Sequence, residues 1–359
     1  MEESASYFQQ AWKKLTSNFP AMTGLIIIIV VALLGIFAYL IIPDPTPNSD
    51  RQTVEIQAMK PGFKKQFIRV KKQMNIREKG FFNVLLFGKE DQYTFVPINS
   101  YFFSKDSIVA EKYIDEDLSE RVALHKNNIA TDHPVVVKTF WLGTDRFGRD
   151  ILSRLILGIR VSMAVGLITV IISLTIGIFL GAVSGYFGGK MDEVIMWLIN
   201  VIWSIPTLLL VFGITLAIGK GFFQIFIAVG LTLWVNVARL IRGQILVIKE
   251  MEYIQAAKAL GFKDVRIIFR HIIPNVIGPV IVIAASNFAS AIIIEAGLSF
   301  LGIGVQPPQP SWGAMIKDHY NFIITHNPIL ALAPGIAIMI VVLAFNILGN
   351  GLRDAFDVR

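Results

Sequence analysis

Six long stretches, uncharged apart from one carboxylate, limit what this chain can become. They cover residues 24–42, 163–184, 194–218, 222–238, 276–302 and 329–349, and the exception is Glu295 in the fifth. A helix needs about 20 apolar residues to cross a ~30 Å hydrocarbon core, so each run predicts a transmembrane helix. Together they predict an all-α integral membrane protein with six spans. Composition agrees, since 54% of the 359 residues are hydrophobic and only 16% are charged. A secretory signal peptide is the rival reading of the first run, because Lys13 and Lys14 precede it. However, its 19 residues lead into Pro43-Asp44-Pro45 rather than a small-residue cleavage site, so it reads as a retained span.

The runs divide the chain into residues 1–42, an N-terminal segment with the first span; 43–140, a hydrophilic insert; and 141–359, a domain holding spans two to six. The insert has fifteen Lys/Arg and thirteen Asp/Glu. It alternates a basic patch (Lys64, Lys65, Arg69, Lys71, Lys72) with an acidic one (Asp115, Glu116, Asp117, Glu120). Its short apolar runs at 81–87 and 135–140 are candidate strands, and the region reads as partly folded. Its basic patch does not fix its side, because loops longer than about 60 residues escape the positive-inside bias. Residues 141–162 carry Asp145, Arg146, Arg149, Asp150, Arg154 and Arg160, while Leu152, Leu155, Ile156 and Ile159 recur at helical spacing. That pattern predicts a helix lying along the membrane surface. Gly177, Gly181 and Gly185 form a four-residue stripe suited to close helix packing.

The last long polar interruption, 252–274, reads EYIQAAKALGFKDVRIIFRHIIP. Its lysines and arginines exclude it from hydrocarbon. Helix formers from Glu252 to Leu260 put Ala256, Ala257 and Leu260 on roughly one face. Gly261 suits a left-handed C-cap, and a second short helix is expected to stop before Pro274. Two short helices at an angle make a knob for a groove on another protein; an ordinary surface loop has the same pattern. The 239–274 loop holds seven Lys/Arg against three Asp/Glu, whereas the outer loops carry only Lys220 and Lys317. With six spans this places the knob and both chain ends in the cytoplasm and the insert outside.

Several chemistries are excluded or weakly supported. The chain has no cysteine, hence no disulfide and no thiolate site. The segment from Gly213 to Gly221 is the nearest approach to a phosphate-cradling loop, but its spacing is wrong and it lacks the hydroxyl. Histidines 125, 133, 271, 319 and 326 have no metal-ligand spacing, and no cofactor is expected. The net charge of +7 reads as cytoplasmic Lys/Arg retention rather than a nucleic-acid surface. Glu295, Asn287 and Asn236 are candidates for a polar path through the membrane. Asn200, Ser204, Ser286, Ser290 and Asn346 line a path or merely bond helix to helix. Pro206 and Pro334 are candidate kinks.

Four stretches carry a resemblance. QAA at Gln255–Ala257, Gly261 after three intervening residues and His271-Ile272-Ile273-Pro274 resemble the EAA loop of ABC importer permeases, with Gln255 in place of the Glu, His271 of the first Ile and Ile273 of the Leu. The run GTDRFGRDILSRLILGIRVS resembles the dipeptide, oligopeptide and nickel branch of that family, in the subunit type bearing GTDxxGRD. EAGLSFLGIG through Trp312-Gly313 resembles its ExxLSFLGxGxxPPxPSWG signature, and NILGNGLRDAFDVR its LGDGLRDxLDP ending. The resemblance implies the ABC type I importer permease fold, with the 43–140 insert between helices 1 and 2 and a permease domain at 141–359. It also implies a bacterial inner-membrane location and no ATPase activity of its own. The partners it implies are a second permease subunit, two cytoplasmic ABC ATPase subunits and an extracytoplasmic solute-binding protein. It implies an ATPase-coupling role for Gln255, Ala256, Ala257, Gly261 and Pro274. Small peptides, nickel chelates and glutathione all fit the pattern as solutes. A membrane-anchored sensor or enzyme, with the insert as working domain, is the alternative. A secondary transporter is a third reading, although no convincing inverted repeat is present.

Overall fold

The computed structural model describes residues 7–73, 80–219, 221–324 and 327–357; Lys220 and His326, which enter the sequence reading, lie outside them. The first helices are α1 (Tyr7–Ser17), α2 (Phe19–Ile36) and α3 (Ala38–Ile41). Strand β1 (Phe63–Lys71), helix α4 (Phe81–Phe87) and strands β2 (Tyr93–Phe103), β3 (Ser107–Tyr113), β4 (Ser119–His125) and β5 (Val135–Phe140) follow. Then come α5 (Ile151–Phe187), α6 (Gly189–Trp203), α7 (Thr207–Ile218), α8 (Phe222–Ile248) and α9 (Glu252–Ala259). The chain closes with α10 (Asp264–Ile267), α11 (Ile273–Phe300), α12 (Trp312–His319) and α13 (Ile329–Phe356). Two compact units result: Met1–Val31, Ser162–Gln306 and Ile338–Arg359 form one, and Ala32–Val161 with Pro307–Ala337 form the other.

The first unit is a helix bundle. The Gly177, Gly181 and Gly185 stripe of α5 packs against α8, where added Cβ atoms would meet the Trp234, Ala238 and Arg242 carbonyls. Gly24 brings α2 onto the Ala344 carbonyl of α13 in the same way. Small residues thus bring backbones together, which matters where apolar burial gives no net drive between helices. Phe288 of α11 stacks on Phe345 of α13 at 4.1 Å between ring centroids.

Among the described residues, five helical segments are long and apolar enough to cross a membrane: Phe19–Ile36, Ile151–Phe187, Phe222–Ile248, Asp264–Phe300 and Ile329–Phe356. The predicted span 194–218 is not one straight helix. It is α6 and α7, which qualify only as a pair and meet at 94°. The cause is local: Pro206 lacks the N–H of a continuing ladder and disfavours helical backbone in the residue before it. Pro334, by contrast, lies inside α13.

The second unit contradicts the all-α class expected of the chain as a whole, and agrees with the reading of strands in the insert. Its core is one antiparallel sheet in the order β4-β3-β2-β1-β5. Both faces are covered. Ile68, Ile98, Ile108, Ala110 and Ile129 cluster on one side, and Ile56, Phe67, Tyr113 and Phe140 on the other. Neighbours Phe67 and Ile68 therefore point to opposite faces and both are buried, as the two-residue period of a strand requires. Residues 135–140 form β5 as expected, whereas 81–87 form a helix. FFNVLLF does not alternate, and glycines bound it on both sides.

The surface helix expected over 141–162 is also absent. Residues 141–150 are a folded loop, and helical structure begins at Ile151 and runs unbroken to Phe187. The helical spacing of Leu152, Leu155, Ile156 and Ile159 was real. It belongs to a spanning helix that extends about 18 Å beyond residue 162's polar side at ~1.5 Å per residue.

Candidate functional site

The knob at 252–274 is a rigid turn. Gly261, at φ +75°, ends α9 in a Schellman arrangement: Phe262 N–H donates to Ala257 O at 3.1 Å and Gly261 N–H to Lys258 O at 2.9 Å. Ile254 and Ala257 of α9 pack with Ile267, Ile268 and Ile272 against Ile241, Ile245 and Ile248 of α8. The Tyr186 hydroxyl donates to Asp264 Oδ1 at 2.6 Å and fixes the start of α10. The rings of Phe262 and His271 stack at 6.2 Å.

Two expectations need correction. Ala256, Ala257 and Leu260 do not share a face: Ala257 is 5% exposed and turned inward, while Gln255 and Ala256 are exposed. Nor does the second helix stop before Pro274. Residues Ile268–Ile272 form a π turn that leads directly into α11, with Pro274 in its first turn. The wider turn fits a proline that cannot continue regular i to i−4 bonding. The outward face carries large apolar groups, of which the sequence reading had singled out only Leu260. Leu260, Val265 and Phe269 are 73%, 66% and 68% exposed. Their signal was a second apolar set out of phase with Ile254, Ile267 and Ile268.

The candidate path residues do not lie on one surface. Glu295 is wholly buried and accepts from the Ser299 hydroxyl at 2.7 Å, whose oxygen accepts from Val305 N–H at 3.1 Å. Asn287 is buried and donates to Ser173 Oγ at 3.3 Å. Asn236 is exposed on α8 between buried Val235 and Val237. Sequence reading missed a two-pronged ion pair in which Arg242 donates to both Asp192 oxygens at 2.6 Å and ties α6 to α8. Asn200 accepts from Arg239 at 3.2 Å, a helix-to-helix role.

The GTDRFGRD motif is a clasp within the second unit. Asp145 accepts from the Phe147 and Arg149 backbone N–H groups at 2.8 and 2.9 Å and from Arg149 Nε at 2.6 Å. Arg149 in turn donates to Asp50 at 2.8 Å. Thr144 Oγ accepts from Met59 N–H at 2.9 Å and donates to the Ile56 carbonyl. Gly148 has φ +70°, and its Cα abuts the Thr53 carbonyl so closely that any Cβ would overlap it. Asp150 caps the start of α5, accepting from the N–H of Ser153 at 2.8 Å and from its hydroxyl. Burial pushes the Asp150 carboxyl up despite these bonds. Burial, with Arg51 nearby, pushes the Lys138 ammonium down to about 7, against the pull of Asp91, Asp44 and Asp150.

Spanning helices tied by glycine contacts, with a knob packed against two of them, define a polytopic membrane protein. The chain belongs to the family described as binding-protein-dependent transport system inner membrane component, which it matches over residues 173–359. Residues 6–61 match the N-terminal TM domain of oligopeptide transport permease C. The oligopeptide transport system permease protein OppC of Bacillus subtilis is 41% identical over 220 residues, 61% of this chain and 72% of its own. The glutathione transport system permease protein GsiD of Pectobacterium atrosepticum is 41% identical over 217 residues, 60% of this chain and 72% of its own. The dipeptide transport system permease protein DppC of Bacillus subtilis is 37% identical over 256 residues, 71% of this chain and 75% of its own.

Proposed function

We propose that this chain is one permease subunit of an ATP-driven importer for di- or oligopeptides or similar small solutes such as glutathione. Its family membership and the names of its relatives support that class of solute. The observation that carries the mechanism is the knob, rigid inside and apolar outside. The second permease completes the path, and two ATPase subunits receive the Leu260, Val265 and Phe269 face, with Gln255 and Ala256 beside it. Ala257, Gly261 and Pro274 shape the knob from within. ATP binding draws the ATPases together and the knob transmits that motion to α11, opening the path toward an extracytoplasmic binding protein. Each nucleotide state must favour one conformation through differential contacts, and this face supplies them. The alternative of an anchored sensor or enzyme is disfavoured by the family match over the helical half. ATP hydrolysis is assigned to the partner subunits.

The permease has six spans, with α6 and α7 together as one bent span. The 43–140 insert is extracytoplasmic between spans 1 and 2, the permease domain is 141–359, and both termini are cytoplasmic. The charge of the 239–274 loop supports that orientation. A single thiol at Ser104, exposed in the turn between β2 and β3, will react with an impermeant reagent added outside intact cells. Reaction only after the inner face is opened would reverse the topology.

In vesicles reconstituted with the partner subunits and binding protein, uptake of a labelled peptide will require ATP. Because Glu295 and Asn287 are buried along α11 and Asn236 is exposed on α8, we assign the first two to the inner wall of the path and the third to its face toward the second permease. Glu295→Gln will then slow uptake severalfold while the subunits still assemble. ATP-independent uptake overturns the transport reading. Unchanged uptake by Glu295→Gln reduces that residue to packing.

A further inference from the structure

Helix α4 has no role in the transport cycle just described. Its sequence FFNVLLF has one polar residue, and none of the seven is buried: Phe81, Phe82, Leu86 and Phe87 are 61%, 77%, 53% and 60% exposed. In a water-bathed domain whose sheet is packed on both faces, so concentrated an apolar surface needs an occupant.

Its neighbours say where that surface lies. α4 packs on α3, the last turn of the first apolar run. Gly88, just past its end, sits against the Tyr39 ring and the Pro45 carbonyl, which accepts from Lys89 N–H at 2.8 Å. On the same α3 turn, Leu40 and Ile41 are themselves exposed. The second tie is independent. Arg160 Nη1 donates to the Leu86 carbonyl at 2.9 Å and its guanidinium lies 5.2 Å from the centre of the Tyr39 ring. Arg160 is the last charge of α5 before the unbroken apolar run that ends at Phe187. An arginine in that position marks the edge of the hydrocarbon. Two spans therefore fix α4 at the level where both leave the bilayer.

We propose that α4 is an interfacial anchor whose aromatic face lies in the lipid headgroup–acyl boundary, tethering the insert to the bilayer surface. The occupant is lipid rather than another protein, because α4 continues the lipid-facing surface of Leu40 and Ile41. Phenylalanine and leucine dominate α4, as on the apolar side of membrane-surface helices, and its flanks carry Arg77, Lys79 and Lys89 balanced by Glu78, Glu90 and Asp91, so the apolar contact and not charge must hold it. Only the identity of the leaflet, the outer one, rests on the proposed orientation of the permease.

The chain lacks cysteine, so one introduced thiol takes one nitroxide. Full-length protein in lipid vesicles, with its partner subunits present, is labelled at Phe82→Cys or Phe87→Cys, both exposed positions. Ser104→Cys is the aqueous reference, and Ile29→Cys, exposed on α2, is the lipid reference. Collision rates with oxygen, which concentrates in hydrocarbon, and with a polar nickel chelate are compared. The oxygen-to-chelate ratio at residues 82 and 87 will exceed that at 104 severalfold and approach that at 29. A ratio matching 104 places α4 in water and overturns the anchor. Exclusion of both probes means a protein surface covers α4 and overturns it equally. Peptide uptake by the same vesicles reports separately on the transport reading.

Discussion

Glutamate at both Leu260 and Phe269 will abolish coupled uptake. Both side chains are more than half exposed in the isolated subunit, so the double variant should fold, insert and pair with the second permease. In the proposed docking the same side chains enter an ATPase groove, where an apolar anchor is typically worth about 2 kcal/mol or more on truncation. Two buried carboxylates add desolvation cost. Affinity for the ATPase subunits should fall on the order of a hundredfold or more, about 1.4 kcal/mol for each factor of ten. Binding of the purified ATPase and uptake per ATP hydrolysed are read on one preparation. Wild-type values for both would sink the docking face. Ala257→Arg is a different experiment: Ala257 packs with Ile254 and Ile267, so arginine there damages the knob itself. Gly261→Val is milder, at about 1–2 kcal/mol for a branched residue in the left-handed region.

Gly148→Val is expected to disrupt the insert. Valine would be strained by the positive φ, and its Cβ would overlap the Thr53 carbonyl with backbone on both sides of the clash. Strain at a special backbone position combined with overpacking belongs among the most damaging single changes, above about 4 kcal/mol. Gly62→Ala is the control: φ is +82°, but nothing lies within 4 Å of the added Cβ, so only strain of about 1–2 kcal/mol remains. Limited proteolysis of membranes should cleave the insert of Gly148→Val rapidly and spare that of Gly62→Ala. Equal resistance would show that the 141–150 loop does not clasp residues 50–59.

The sequence placed the spanning segments well because their signal is local and additive: hydrocarbon rejects charge, and twenty residues suffice to show it. It also placed the C-cap at Gly261, since a glycine after a good helix former has few other uses. The insert was harder to read. β1 and β3 hold Lys64, Lys65, Arg69, Lys71, Glu111 and Lys112 on strands that also supply core residues, so charge counting hid the sheet. The break at Pro206 is visible as a proline, but its 94° angle depends on which side chains α6 and α7 meet. The inward turn of Ala257 was illegible for the same reason: three apolar residues on a short helix do not say which of them faces the protein. Charges at 145–154 suggested a surface helix because pairing is invisible in sequence. Asp145 and Arg149 satisfy each other, and their burial follows.

The π turn has a mechanical consequence. Because it joins α10 to α11 without a loop, Asp264–Phe300 is a single rod of 37 residues, about 55 Å long at ~1.5 Å per residue. A rod has no slack to absorb motion applied at one end. Tilting it by about 5° around its base sweeps the tip through about 5 Å at that length, the width of a side chain. Small rotations at the knob are thereby magnified where Glu295 and Ser299 sit.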